Sequence, residues 1–215
     1  LGPGTRYVLQ RELGRGGGGT VYLAHDSALE RDVAVKVLHP HVARRQQART
    51  QLFCEARIAA ALRHHRIVTV YDLDEQLNMV VMEYCAGGAL AARIAAGRLP
   101  PARALRRLAE IAGVLDVVHR CGVVHRDLKP ANLLLRVPGA RADDHGLLVL
   151  SDFGIAHAGA ERTDGDEPAA AGSLLYMAPE QRRGQATDAR ADLYSCGVIL
   201  VEMLDRKSTR LNSSH

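Results

Sequence analysis

No cysteine in this 215-residue chain has a partner at close spacing. Cys54, Cys85, Cys121 and Cys196 are scattered without a Cys-x-x-Cys pair, which argues against a disulfide framework or zinc site and for reduced core thiols in a cytosolic setting. No uninterrupted apolar stretch approaches the ~18–20 residues needed to cross a bilayer, and no signal peptide opens the chain. Like charges never run to five, so the net charge of +4 reads as a mixed solvated surface and does not indicate nucleic acid. Tryptophan is absent while Ala, Arg and Gly abound, the mark of GC-rich coding and a hint of a bacterial source. Hydrophobic residues at 47% and charged residues at 24% exclude disorder as the default. The length suits one large domain or two small lobes sharing a cleft.

From Tyr7 to about Tyr84 the pattern is mostly strands, among them 21–24, 33–38 and 78–84, each short and rich in β-branched residues. One helix interrupts them, over about 44–63, with Leu52, Ala56, Ala59, Ala60 and Leu62 as its apolar face. Gly87-Gly88 breaks the chain, and helical patterns then dominate. A short helix is expected over 89–96 and a longer one over 101–120, with Pro in its first turn and Leu105, Leu108, Ile111, Ala112, Leu115 and Val118 on one side. Short strands follow near 133–136 and 147–150, then a loop-rich stretch over 152–187 and an apolar helix over 190–204. The final eleven residues, 205–215, match a translated sequencing adapter residue for residue and are read as an artefact; without them the net charge falls to +2.

Five runs carry chemistry. Gly14, Gly16, Gly19 and Val21 fit G-x-G-x-x-G-x-V, and glycines let backbone approach phosphate oxygens without a Cβ clash. A strand follows at once where a dinucleotide-binding turn would open a helix, which favours a hairpin folded over phosphates. Lys36 in Val33-Ala34-Val35-Lys36 is either a solvent-facing strand residue or a fixed cation for phosphates positioned by Glu55. In His125-Arg126-Asp127-Leu128-Lys129-Pro130-Ala131-Asn132, Asp127 suits a base that orients a hydroxyl. Asn132 suits a hard-cation ligand, and Lys129 can neutralise a transferring phosphoryl group. Asp152-Phe153-Gly154 follows a strand and offers Asp152 to Mg²⁺, with Gly154 allowing the backbone to bend. Met177-Ala178-Pro179-Glu180 closes the loop begun at Asp152, and Asp192 stands near the start of the last helix.

Taken in order, these residues resemble the protein kinase family over about 6–204, and the Lys after the catalytic Asp resembles its serine/threonine branch, above all the bacterial, eukaryotic-like members. The resemblance implies an α+β bilobal fold, with residues 1–84 as a β-rich N-lobe and 85–204 as a partial helical C-lobe. It implies ATP in the interlobe cleft with Mg²⁺, or Mn²⁺ in its place. Leu13, Val21, Ala34 and Leu134 would sandwich the adenine, Met82 would be the gatekeeper, and the Glu83 carbonyl and Cys85 N–H would read the adenine edge. Lys36 with Glu55 would hold the phosphates, Asn132 and Asp152 the metal, and Asp192 the catalytic-loop backbone.

The implied activity is phosphoryl transfer to Ser/Thr hydroxyls of protein substrates, achieved by positioning and charge neutralisation. Arg126 beside Asp127 implies control by activation-loop phosphorylation, for which Thr163 is the candidate, while Ser173 stands where the family usually has Thr. Trans-autophosphorylation in a homodimer and a membrane tether beyond Leu204 are compatible with the resemblance. Rival readings are a nucleotide-binding pseudokinase scaffold, a small-molecule phosphotransferase of the same fold, and an inactive truncated fragment. Truncation after Leu204 is expected to leave the last helix uncovered and the fragment prone to aggregate.

Overall fold

Val33, Val35 and Val37 alternate with Ala34, Lys36 and Leu38 along β3 (Arg31–Leu38), and this period of two gives the strand two unlike faces. In the computed structural model, which describes residues 6–16, 18–136, 146–153 and 174–205, β3 is the centre of a five-stranded antiparallel sheet. Its companions are β1 (Tyr7–Arg15), β2 (Gly19–Asp26), β4 (Val70–Asp74) and β5 (Met79–Glu83), in the order β1-β2-β3-β5-β4. On the outer face Tyr7, Ala24, Val33, Val35, Met79 and Val81 close a small core. On the inner face Leu38 and Val80 pack against Leu52, Phe53 and Ala56 of α2 (Gln46–Ala61). Ala60, expected on that helical face, is exposed. A four-residue helix, α1 (Pro40–Ala43), precedes α2 and had no apolar period to announce it.

The rest is mainly helical: α3 (Leu90–Ala96), α4 (Pro101–Arg120), α5 (Pro179–Arg182) and α6 (Ala189–Leu204). Between α4 and α5 lie a 3₁₀ turn over Pro130–Asn132 and a hairpin of β6 (Leu133–Leu135) with β7 (Leu148–Leu150). Proline opens α4 and Gly122, at φ +74°, follows its end, so both bounds match the sequence reading. Its buried face matches at Ile111, Leu115 and Val118, with Leu108 packed beside them, and departs elsewhere. Ala104, Arg107, Ile111, Val114, Leu115 and Val118 are buried, whereas Leu105 and Ala112 face solvent. Arg107 takes the place of an apolar residue because its guanidinium is paired, donating to Glu110 at 2.6 Å and to the Gly146 carbonyl at 3.1 Å. Ile111, Leu115 and Val118 share one core with Cys196, Ile199 and Met203 of α6.

Backbone contacts on two sides hold the hairpin against the rest. Leu150 exchanges backbone hydrogen bonds with the strand entry at Arg66 and Val68, both 2.9 Å. On the other side Gly87 N–H donates to Leu135 O at 2.9 Å, and a Cβ on Gly87 would lie 2.5 Å from that oxygen. Gly87 is therefore a close-packing position as well as a break. The β6–β7 hairpin thus faces the inner side of the sheet, with residues 84–89 as the connection. The expected adapter-derived tail lies outside the described residues except for Asp205, as do Gly17, Gly154, Thr163 and Ser173.

Candidate active site

Register decides which side chains of the sheet share a face. Val21 is paired with Lys36, Ala34 with Met82, and Lys36 with Val80, so Val21, Ala34, Lys36 and Met82 lie side by side on the inner face. Leu13 sits at a bulge of β1, beside Gly14, which is paired with Val21. Met82 and Leu134 pack against the buried cluster of Val68, Cys85 and Val149, and burial pushes the Cys85 thiol up to about 12, so it serves as apolar wall. An added Cβ meets nothing within 4 Å at Gly14 or Gly16, but at Gly19 it would lie 2.3 Å from the Val37 carbonyl. The first two glycines leave a cradle that side chains would fill; the third is demanded by the neighbouring strand.

The turn that carries Asp127 is held from several sides. The buried Asp192 carboxylate accepts from the N–H groups of His125 and Arg126, each at 2.9 Å, and from His119 Nε2 at 2.7 Å. His125, fully buried and kept neutral by that burial, donates from Nε2 to the Ser151 carbonyl at 3.0 Å and accepts the Asp127 N–H at Nδ1. Its ring lies 5.0 Å from that of Phe153. Arg126 and Asp152 both adopt left-handed backbone, at φ +66° and +53°, a conformation that costs non-glycine residues ~1–3 kcal/mol and persists only where neighbours impose it.

On this frame the Asp127 carboxylate accepts from Lys129 Nζ at 2.7 Å and Asn132 Nδ2 at 3.1 Å. Asn132 Nδ2 also donates to the Asp127 carbonyl at 2.8 Å, so its donors are committed to Asp127 and its amide oxygen is left for a cation. That oxygen and the Asp152 carboxylate are hard oxygen donors of the kind that could hold a divalent cation. Ser151, which the sequence did not single out, joins the two loops: its N–H and hydroxyl both reach the Asn132 carbonyl, and the hydroxyl stands 3.2 Å from Asp152 Oδ2.

Lys36 reaches across from the sheet to Asp152 Oδ1 at 2.6 Å. Burial disfavours its charge, but the carboxylates of Asp152 and Glu55 outweigh that and hold Lys36 up to about 12. Asp152 is held below the ordinary carboxylate range because the Lys36 ammonium overrides the opposing effect of burial. The expected Lys36–Glu55 ion pair is not formed. Glu55 lines the same pocket as Lys36, Met82, Asp152 and Phe153, but accepts a hydrogen bond from Gln51 at 3.3 Å. Burial pushes it up to about 7, beyond what Lys36 offsets. Sequence spacing placed Glu55 on the correct helix; only geometry shows that Asp152 wins the ammonium.

The connecting segment holds a further feature without a sequence signal. Arg136, just past β6, forks onto both carboxylate oxygens of Glu83 and donates to the His65 carbonyl. It fastens the end of β5 to the hairpin.

The model of the Protein kinase domain matches residues 7–214. The serine/threonine-protein kinase PknB of Mycobacterium leprae is 41% identical over 207 residues, covering 93% of this chain and 32% of that protein. PrkC of Bacillus subtilis, also named a serine/threonine-protein kinase, is 37% identical over 202 residues, covering 93% of this chain and 30% of that protein. The chain thus spans about a third of the length of these relatives. Among solved structures, the kinase domain of Mycobacterium tuberculosis PknI superposes with a TM-score of 0.70 at 30% identity, over 95% of this chain and 76% of that one. The loop around Asp127 and the sheet that delivers Lys36 to Asp152 are thus those of a known architecture, and the chain belongs to the protein kinase family.

Proposed function

We propose that this domain transfers the γ-phosphate of ATP to serine and threonine hydroxyls of protein substrates. The observation that carries the reading is the Asp127 carboxylate, fixed by Lys129 and Asn132 on a loop that faces Lys36 and Asp152. Asp127 orients the acceptor hydroxyl and takes its proton. Lys129 neutralises charge on the phosphoryl group in transit. Lys36 holds the phosphates after leaving Asp152, and Glu55 is the carboxylate near enough to receive it. Asn132 and Asp152 hold Mg²⁺, or Mn²⁺ in its place, which when bound supplies charge neutralisation for the phosphates. Leu13, Gly14, Gly16, Gly19, Val21, Ala34, Met82 and Leu134 line the nucleotide's path, with the Glu83 carbonyl and Cys85 N–H as adenine anchors.

Regulation belongs to the same proposal. Nε of Arg126 is buried without a hydrogen-bond partner, which suits a guanidinium that receives a phosphate. Thr163 is the proposed site of that phosphate, and Ser173 is proposed to supply a hydroxyl for Asp127 and Lys129. Residues 1–84 and 85–204 act as the two lobes, and trans-autophosphorylation in a homodimer and a tether beyond residue 204 complete the reading. In the intact protein, Asp152→Ala and Lys36→Met lower phosphotransfer from γ-labelled ATP to a generic protein substrate by at least roughly 100-fold. Retained activity in Asp152→Ala withdraws the assignment; ATP binding without transfer in the wild type assigns a scaffold role instead.

A further inference from the structure

Arg126 is the one residue between the fully buried His125 and the base Asp127, and its left-handed backbone is not free to relax. Its N–H is taken by Asp192 at 2.9 Å. Its carbonyl is taken by a residue with no expected role: Gln181, in α5, donates from Nε2 to Arg126 O at 2.8 Å. The same side-chain amide accepts at Oε1 from the Ala178 N–H at 3.0 Å. Gln181 therefore uses both ends of one rigid group. One end holds the peptide that precedes Asp127; the other holds the turn Met177-Ala178 that closes the activation segment. A loose carbonyl at Arg126 would let the peptide leave the left-handed region, and the Asp127 carboxylate would swing with it, away from Lys129 and Asn132.

We infer that Gln181 is a positioning residue for phosphoryl transfer, acting through the Arg126 carbonyl to set the direction of Asp127 and tying that direction to the closing turn of the activation segment. The inference rests on the kinase reading above. It differs from the anchoring by Asp192 in that the pin comes from α5 and the turn it holds, so a displacement of residues 176–178 is transmitted to the base.

The donor to Arg126 O is the feature to test, in the intact protein with γ-labelled ATP and a peptide acceptor. Gln181→Glu keeps the acceptor for Ala178 N–H but loses the donor; Gln181→Met loses both without charge; Gln181→Lys keeps a donor. The expected result is kcat lowered roughly tenfold or more in the Glu and Met variants, since positioning errors of an ångström cost that much and more. KM for ATP stays within about twofold, melting temperature stays near the wild-type value, and the Lys variant recovers most of kcat. A purely structural role for α5 would instead rank the variants by melting temperature and move KM along with kcat. Wild-type kcat in both the Glu and Met variants, or losses that follow melting temperature, overturn the inference and leave the kinase reading standing. A wild-type protein that binds ATP but transfers nothing overturns both.

Discussion

At the scale of single residues, the site is governed by competition for one ammonium. Lys36 has the carboxylates of Asp152, Glu55 and Asp127 within electrostatic reach and bonds only Asp152, which leaves Glu55 partly desolvated with a weak partner. Its proton is therefore held up to about 7, against an ordinary value of 4.5. Between those values the folded chain keeps a proton that the unfolded chain has released, so stability is greatest at the acid end and falls as pH rises through the window. At ~1.4 kcal/mol per unit the loss reaches up to about 3 kcal/mol, and above pH 7 it levels off. Denaturant unfolding of the kinase domain at a series of pH values should show this slope, and Glu55→Gln should flatten it; an unchanged slope in the variant means that Glu55 is ionised throughout. The residues of the Asp127 loop were legible because their chemistry is compressed into eight adjacent positions. Gln181 and Ser151 were not, because each acts through backbone atoms 55 and 19 residues away. Lys36's choice of partner was equally hidden, since a list of charges contains no distances.

Elements were legible where chain punctuation and hydrophobic period agreed. Pro101 opens α4, and valines in alternation mark β3, so their positions followed from sequence. The buried face of α4 followed only in part: Ile111, Leu115 and Val118 are buried as expected, but a paired Arg107 fills a core position that its charge would assign to solvent. Glycines show the same division between signal and geometry. Gly14 and Gly87 look alike in sequence, yet a Cβ at Gly14 meets open space while one at Gly87 meets the Leu135 carbonyl at 2.5 Å. Gly87→Ala is thus expected to destabilise the domain by ~1–3 kcal/mol, since backbone on both sides must shift. Gly14→Ala should leave the melting temperature unchanged but raise KM for ATP roughly tenfold, or ~1.4 kcal/mol, by filling the cradle. Melting curves and ATP titrations of the two variants separate these effects. Equal stability losses at both sites would mean that the glycine-rich turn is packed rather than open.

At the scale of the molecule, a sheet and a helical body are joined through few polar contacts. Among the described residues, Lys36–Asp152 and Arg136–Glu83 are ion pairs that link the sheet to the segments around the hairpin, and Arg66–Glu110 ties the strand entry to α4. The general order, strands first and helices after, was visible in the sequence; these ties were not, since each spans 44 residues or more. On the proposed reading, the Lys36–Asp152 pair would make nucleotide and cation binding interdependent. While Asp152 holds Lys36, the ammonium is not available to phosphates, and ATP alone must pull it away from a carboxylate that stays behind uncompensated. A divalent cation held at Asp152 would replace the lost positive charge and leave Lys36 available to the phosphates. ATP with Mg²⁺ should therefore raise the melting temperature well beyond ATP with a chelator, a ligand at 100 times its Kd being worth ~2.7 kcal/mol. In Asp152→Asn the free Lys36 should bind ATP without assistance, so the melting temperature should rise to a similar extent with and without Mg²⁺. A full Mg²⁺-dependent rise in that variant would locate the cation elsewhere and leave the ion pair as a structural tie alone.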